Sequence, residues 1–168
     1  MISAAIDLGT STVDLSLWDT AGQERFAPLS APYFRHADGV VLVFDLGARR
    51  TFERLGAYWA AEIEAKASAG ADVVLVGAKA DLPPDARAVH EAEARELADA
   101  HGWEYFEASA KSGAHVRDAF YLVACTVMNR LIEADPANAA TSVAPPDKAS
   151  SLLHTSGRGA KGAKRGCC

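Results

Sequence analysis

The chain has 168 residues, 49% apolar and 23% charged, and 17 Lys+Arg against 22 Asp+Glu give a net charge of −5. Those proportions belong to an ordinary globular domain and exclude a collagen, a disordered chain and a disulfide scaffold. No stretch reaches the ~18 uninterrupted apolar residues of a membrane span, and Met1-Ile2-Ser3 lacks the basic start of a signal peptide, so a cytosolic start is expected.

In chain order, residues 4–8 read as a short strand that Gly9-Thr10-Ser11 turns back on a second. There Val13, Leu15 and Leu17 alternate with Asp14 and Ser16, the pattern of a half-buried strand. The run 39–44, Gly-Val-Val-Leu-Val-Phe, is continuously apolar, as in a strand covered on both faces. Phe52, Leu55, Trp59 and Ile63 follow at helical spacing, and 73–77 is another buried strand. An Ala-rich helix is expected over 89–101 and a third short strand at Tyr105-Phe106. Val116, Ala119, Phe120, Val123, Val127 and Leu131 make the stripe of a last helix. Strands alternating with helices predict an α/β domain with a mostly parallel sheet, whose ligands bind at the carboxyl ends of the strands.

Charge and composition divide the chain near residue 133. Residues 1–132 hold 12 basic against 19 acidic side chains, which argues against a nucleic-acid partner. Residues 133–168 are small, polar and rich in Pro and Gly, and bury too little apolar surface to offset their ordering entropy. They read as a flexible tail behind one domain over 1–132. The tail carries Arg158, Lys161, Lys164 and Arg165 and ends in Cys167-Cys168, while Cys125 lies in the last helical stripe and reads as a core residue.

The loops that follow the strands are specific. After the strand ending at Trp18 comes Asp19-Thr20-Ala21-Gly22-Gln23-Glu24-Arg25-Phe26. After 73–77 comes Ala78-Lys79-Ala80-Asp81-Leu82, and after Tyr105-Phe106 comes Glu107-Ala108-Ser109-Ala110-Lys111. This ordered set resembles the small GTPases, and Trp-Asp-Thr-Ala-Gly-Gln-Glu-Arg-Phe with a terminal Cys-Cys resembles the Rab branch. The resemblance covers about residues 4–132 and the last two, and implies a Ras-like P-loop NTPase fold in three layers. The function implied is a GTP-binding and GTP-hydrolysing switch in vesicle traffic, with GTP/GDP and Mg²⁺ as its ligands.

Residue by residue, the resemblance gives Asp19 a water-mediated hold on Mg²⁺ and Gly22 a backbone N–H close to the γ-phosphate. Gln23 would orient the attacking water. Asp81 would accept from the ring N–H and exocyclic amine of guanine, a pair that adenine does not offer. The Lys79 stem would lie along the base, and Ala110, between Ser109 and Lys111, would donate its backbone N–H to the guanine carbonyl. Read without the family, Lys79 and Asp81 are solvated loop charges and Ser109 a helix cap. The family usually has Asn where Ala78 stands and often Thr where Ala108 stands.

Cys167 and Cys168 resemble a double geranylgeranylation site, and two lipid chains anchor stably where one does not. That implies a cytoplasmic membrane surface with a cytosolic pool, and Rab escort or GDI-type carriers. Trp18, Phe26, Leu29, Tyr33 and Phe34 exceed what a loop needs; in the family this region is read by effectors, exchange factors and GTPase-activating proteins. Trp18 and Phe34 as plain core residues are the alternative.

No Gly-x-x-x-x-Gly-Lys-Ser/Thr occurs in the chain. The family's first strand, phosphate loop, first helix and first switch are therefore expected to be missing from the fold. Losing three or more charge-assisted bonds to phosphate, at ~1.5–3 kcal/mol each, weakens nucleotide binding on the order of 10³- to 10⁶-fold. The strand at 13–17 and that at 39–44 would face each other across a gap of about 10 Å, two strand spacings. On those terms the chain is an impaired GTPase, a non-catalytic prenylated binding module, or a non-functional truncated product.

Overall fold

The computed structural model describes residues 1–9, 12–20, 36–66 and 71–134. Strand β1 (Ile2–Asp7) pairs antiparallel with β2 (Thr12–Leu17), Ile6 opposite Val13 and Ala4 opposite Leu15. The chain re-enters at β3 (Gly39–Asp45) and continues through helix α1 (Arg49–Arg54). A π-helical turn at Leu55–Trp59 leads directly into α2 (Ala60–Lys66). Then come β4 (Asp72–Ala78), a 3₁₀ turn at Pro84–Ala86, α3 (Glu91–His101), β5 (Glu104–Ala108) and α4 (Val116–Ala134).

The parallel sheet has the order β3-β4-β5, and one row of its register runs Asp45–Ala78–Ala108. Its strands alternate two apolar sets because both faces are covered. On one face Val40, Leu42, Phe44, Leu75 and Tyr105 pack with Phe52, Leu55, Trp59, Ile63, Ala94 and Ala98 from α1, the π turn, α2 and α3. On the other, Val74, Val76, Phe106 and Ala108 pack against Ala119 and Leu122 of α4. Sheet and last helix come so close that a Cβ on Gly39 would lie 2.4 Å from Val123 Cγ1. The result is helix, sheet, helix in three layers.

Several boundaries differ from those the pattern predicts. The helix expected over 89–101 starts at Glu91, because His90 is its N-cap and donates its backbone N–H to the Glu93 carboxylate at 2.7 Å. Left-handed Gly102 ends it. Helix α4 runs to Ala134, two residues past the expected domain end, and Cys125 is buried in it.

The larger difference is in the sheet. Among the described residues the parallel sheet is β3-β4-β5, and β2 pairs with β1 and is not hydrogen-bonded to β3. The hairpin packs on the last helix: Ile6 and Leu8 lie on Ala124 and Cys125 of α4, with Val13, Leu15, Phe120, Tyr121 and Met128 around them. Val43, on the uncovered edge of β3, is 53% exposed although it sits mid-strand in an apolar run. That is the division the absent phosphate-loop motif leads one to expect.

Candidate functional site

The row Asp45–Ala78–Ala108 ends the three parallel strands, so the residues just beyond it form one rim. Backbone bonds hold the rim together: Leu46 N–H donates to the Ala78 carbonyl and Ala80 N–H to that of Ala108, both at 3.0 Å. Lys79 follows with φ +67, a left-handed conformation rare for a residue with a side chain. Its Nζ lies 2.6 Å from Asp45 Oδ2, and Asp45 Oδ1 accepts the Gly47 N–H at 2.8 Å. The carboxylate raises the lysine's pKa above its ordinary value, so Lys79 is a fixed cation.

Two residues on, Asp81 Oδ1 accepts from Ser109 Oγ at 2.5 Å, and Lys111 Nζ lies 3.7 Å from Oδ2. These two, the hydroxyl first, hold the carboxyl below the usual carboxylate range. Ser109 is the one buried polar residue of the described core; its Oγ also accepts the Ser112 N–H at 3.2 Å. Asp81 is thereby aimed by a hydroxyl from the next strand's loop, with the Lys111 ammonium beside it. Ala110 is exposed in the turn between Ser109 and Lys111.

Lys79, Asp81, Ser109, Ala110 and Lys111 are thus brought to one rim. Asp19 and Trp18 follow β2 and so belong to the other sheet. Trp18 is 52% exposed, which removes the alternative that it is a core residue. Gly22, Gln23, Phe26, Leu29, Tyr33, Phe34, Cys167 and Cys168 lie outside the described residues. Among the described residues no group of three His, Cys, Asp or Glu could hold a metal. Asp19, the expected Mg²⁺ contact, is exposed just after β2.

Sequence reading missed two residues of the rim. Asp45 closes an apolar run and gave only the weak signal of a charge at a strand end. Arg87 gave none: it lies 20 residues from Glu107, to which it donates through Nη1 at 2.9 Å, while its Nη2 donates to the Ala80 carbonyl at 3.1 Å.

The Ras family model matches residues 1–129. The chain belongs to the Ras family of small GTPases, in its Rab branch. It is 36% identical to the Ras-related protein RAB1BV of Beta vulgaris over 97% of this chain and 73% of that protein. To the human Ras-related protein Rab-27B it is 46% identical, over 71% of this chain and 54% of the relative. With the GTP-binding protein yptV2 of Volvox carteri the identity is 41%, over 79% and 60% respectively. The chain thus spans little more than half the length of two of these small GTPases.

Proposed function

We propose that this protein works as a Rab-type switch that binds GTP and GDP, hydrolyses GTP and acts in vesicle traffic. The observation that carries the reading is the Asp81 carboxylate, aligned by buried Ser109 with Lys111 beside it. An ionised carboxylate with a fixed direction can accept two N–H groups from one guanine edge, which adenine cannot offer. Gln23 orients the attacking water, Asp19 contributes to holding Mg²⁺, and Gly22 gives its backbone N–H to the γ-phosphate. Cys167 and Cys168 take geranylgeranyl groups that place the protein on the cytoplasmic face of endomembranes, with escort or GDI-type proteins carrying a cytosolic pool. Exposed Trp18, with Phe26, Leu29 and Tyr33, offers the surface that effectors, exchange factors and activating proteins read.

Residues 1–168 contain the base-reading half of such a site and no phosphate-loop motif, so nucleotide affinity is weak while base choice persists. Equilibrium binding of GDP and ADP to the purified chain tests this. A GDP preference of about tenfold or more, one charged hydrogen bond's worth, is expected; equal binding, or none, overturns the reading. In the same preparation Gln23→Leu should lower GTP turnover at unchanged GDP affinity, and unchanged turnover would remove the role given to Gln23.

A second reading, favoured by the lack of pairing between β2 and β3 among the described residues, is a non-catalytic prenylated module that occupies Rab partners. A folded, nucleotide-free chain that captures an escort protein would favour it.

A further inference from the structure

The base rim is assembled from two separate loops, one after β4 carrying Lys79 and Asp81 and one after β5 carrying Ser109 and Lys111. Each depends on the other through the Ser109–Asp81 contact, so something must keep the loops in register. Arg87 reaches both. Its Nη2 donates to the Ala80 carbonyl at 3.1 Å, and its Nε points at the Leu82 carbonyl at 3.5 Å. These are the carbonyls on either side of Asp81. On its opposite edge Nη1 lies 2.9 Å from Glu107 Oε1 and 2.8 Å from Oε2, two residues before Ser109. Glu107 is fixed in turn by the Tyr105 hydroxyl, which donates to Oε1 at 3.2 Å. Both partners of the ion pair are largely buried, with side-chain exposures of 22% and 18%, so water screens the link little.

We infer that Arg87 and Glu107 are positioning residues for base selectivity, a brace that sets Asp81 against Ser109 and so fixes where the guanine edge is read. The inference rests on the guanine reading above. A planar guanidinium suits the task because its donors leave in fixed directions toward three acceptors, and a lysine ammonium cannot span them. The brace acts on direction, not on charge supply: neither residue is placed to touch a nucleotide.

The test uses the chain 1–168, with GDP and inosine diphosphate as probes. The second differs from the first only in lacking the exocyclic amine that Asp81 would accept from. The parent should prefer GDP about tenfold, the worth of one hydrogen bond to a charged group. Arg87→Lys, which keeps the charge and loses the fork, should narrow that ratio at least threefold, and Glu107→Gln should narrow it less. The reversed pair, Arg87→Glu with Glu107→Arg, restores the ion pair but not the carbonyl contacts, and its ratio should stay narrowed. A role in stability alone would weaken both nucleotides together and leave the ratio unchanged in the folded variants, which overturns the inference while the guanine reading stands. A parent that does not distinguish the two nucleotides overturns that reading and the inference with it. Thermal melts identify the folded variants, and Glu107→Gln, nearly isosteric, carries the test where Arg87→Lys does not fold.

Discussion

The hairpin and the three-stranded sheet use the same apolar residue types and differ in what covers them. In β4, Val74 and Leu75 are 1% and 0% exposed, because helices lie on both faces and strands on both edges. In the hairpin only Ile6 and the adjoining Leu8 are buried, against a single helix, and Ile2 is 65% exposed. Two strands without a further neighbour are marginal in water, so the hairpin depends on α4 for its place. The rim of Lys79, Asp81, Ser109 and Lys111 is built on the well-covered half, while Asp19 and Trp18 hang from the weakly covered one. The residues proposed to read a base and those proposed to meet phosphate and partners therefore rest on supports of unequal strength.

The largest effect should come from the rim itself. Asp81→Ala removes the carboxylate proposed to accept from the guanine edge, so the preference for GDP over ADP, about tenfold or more in the parent, should be lost with ADP affinity unchanged. A parallel loss for ADP in competition binding would deny the carboxylate its base-reading role.

Packing gives the next contrast. Phe44 is buried with Phe52 and Tyr105 at ring-centroid distances of 5.0 and 6.3 Å, and Phe44→Ala should cost about 3–5 kcal/mol of stability. Leu15→Ala, in the half-buried face of β2, should cost less than about 1.5 kcal/mol. Urea melts read both, and equal costs would mean that the hairpin is as firmly held as the sheet. Hydrogen exchange sharpens the same point: amides of β1 and β2 should exchange well before those of β4, since local opening needs fewer buried contacts broken.

The smallest effect is a titration. Ser109 holds the Asp81 carboxyl below its ordinary range, so the charged form persists above that lowered value and is lost only as pH falls through it. Ser109→Ala should let the carboxyl titrate closer to the ordinary Asp value near 3.9, so guanine preference fades at a higher pH than in the parent. A carboxyl resonance of Asp81 whose midpoint does not move on that substitution would remove the hydroxyl as the cause.

The strands and helices were legible because each has a strong local cause: period-2 alternation in β2, continuous apolar runs in β3 and β4, and an apolar stripe in α4. The π turn at Leu55–Trp59 was not, since the residues Phe52, Leu55, Trp59 and Ile63 keep an ordinary helical spacing across it. Among site residues, Lys79, Asp81, Ser109 and Lys111 could be named because motif and strand end coincide.

Sequence by itself determined the order of elements, the family and which loops carry polar chemistry, because these follow from periodicity and short contiguous motifs. Tertiary structure alone decided that Lys79 is tied to Asp45 and that Arg87 clasps Glu107 across the rim. Those facts depend on contacts between residues remote in the chain. No local pattern encodes them, and they exist only once the sheet has set its register.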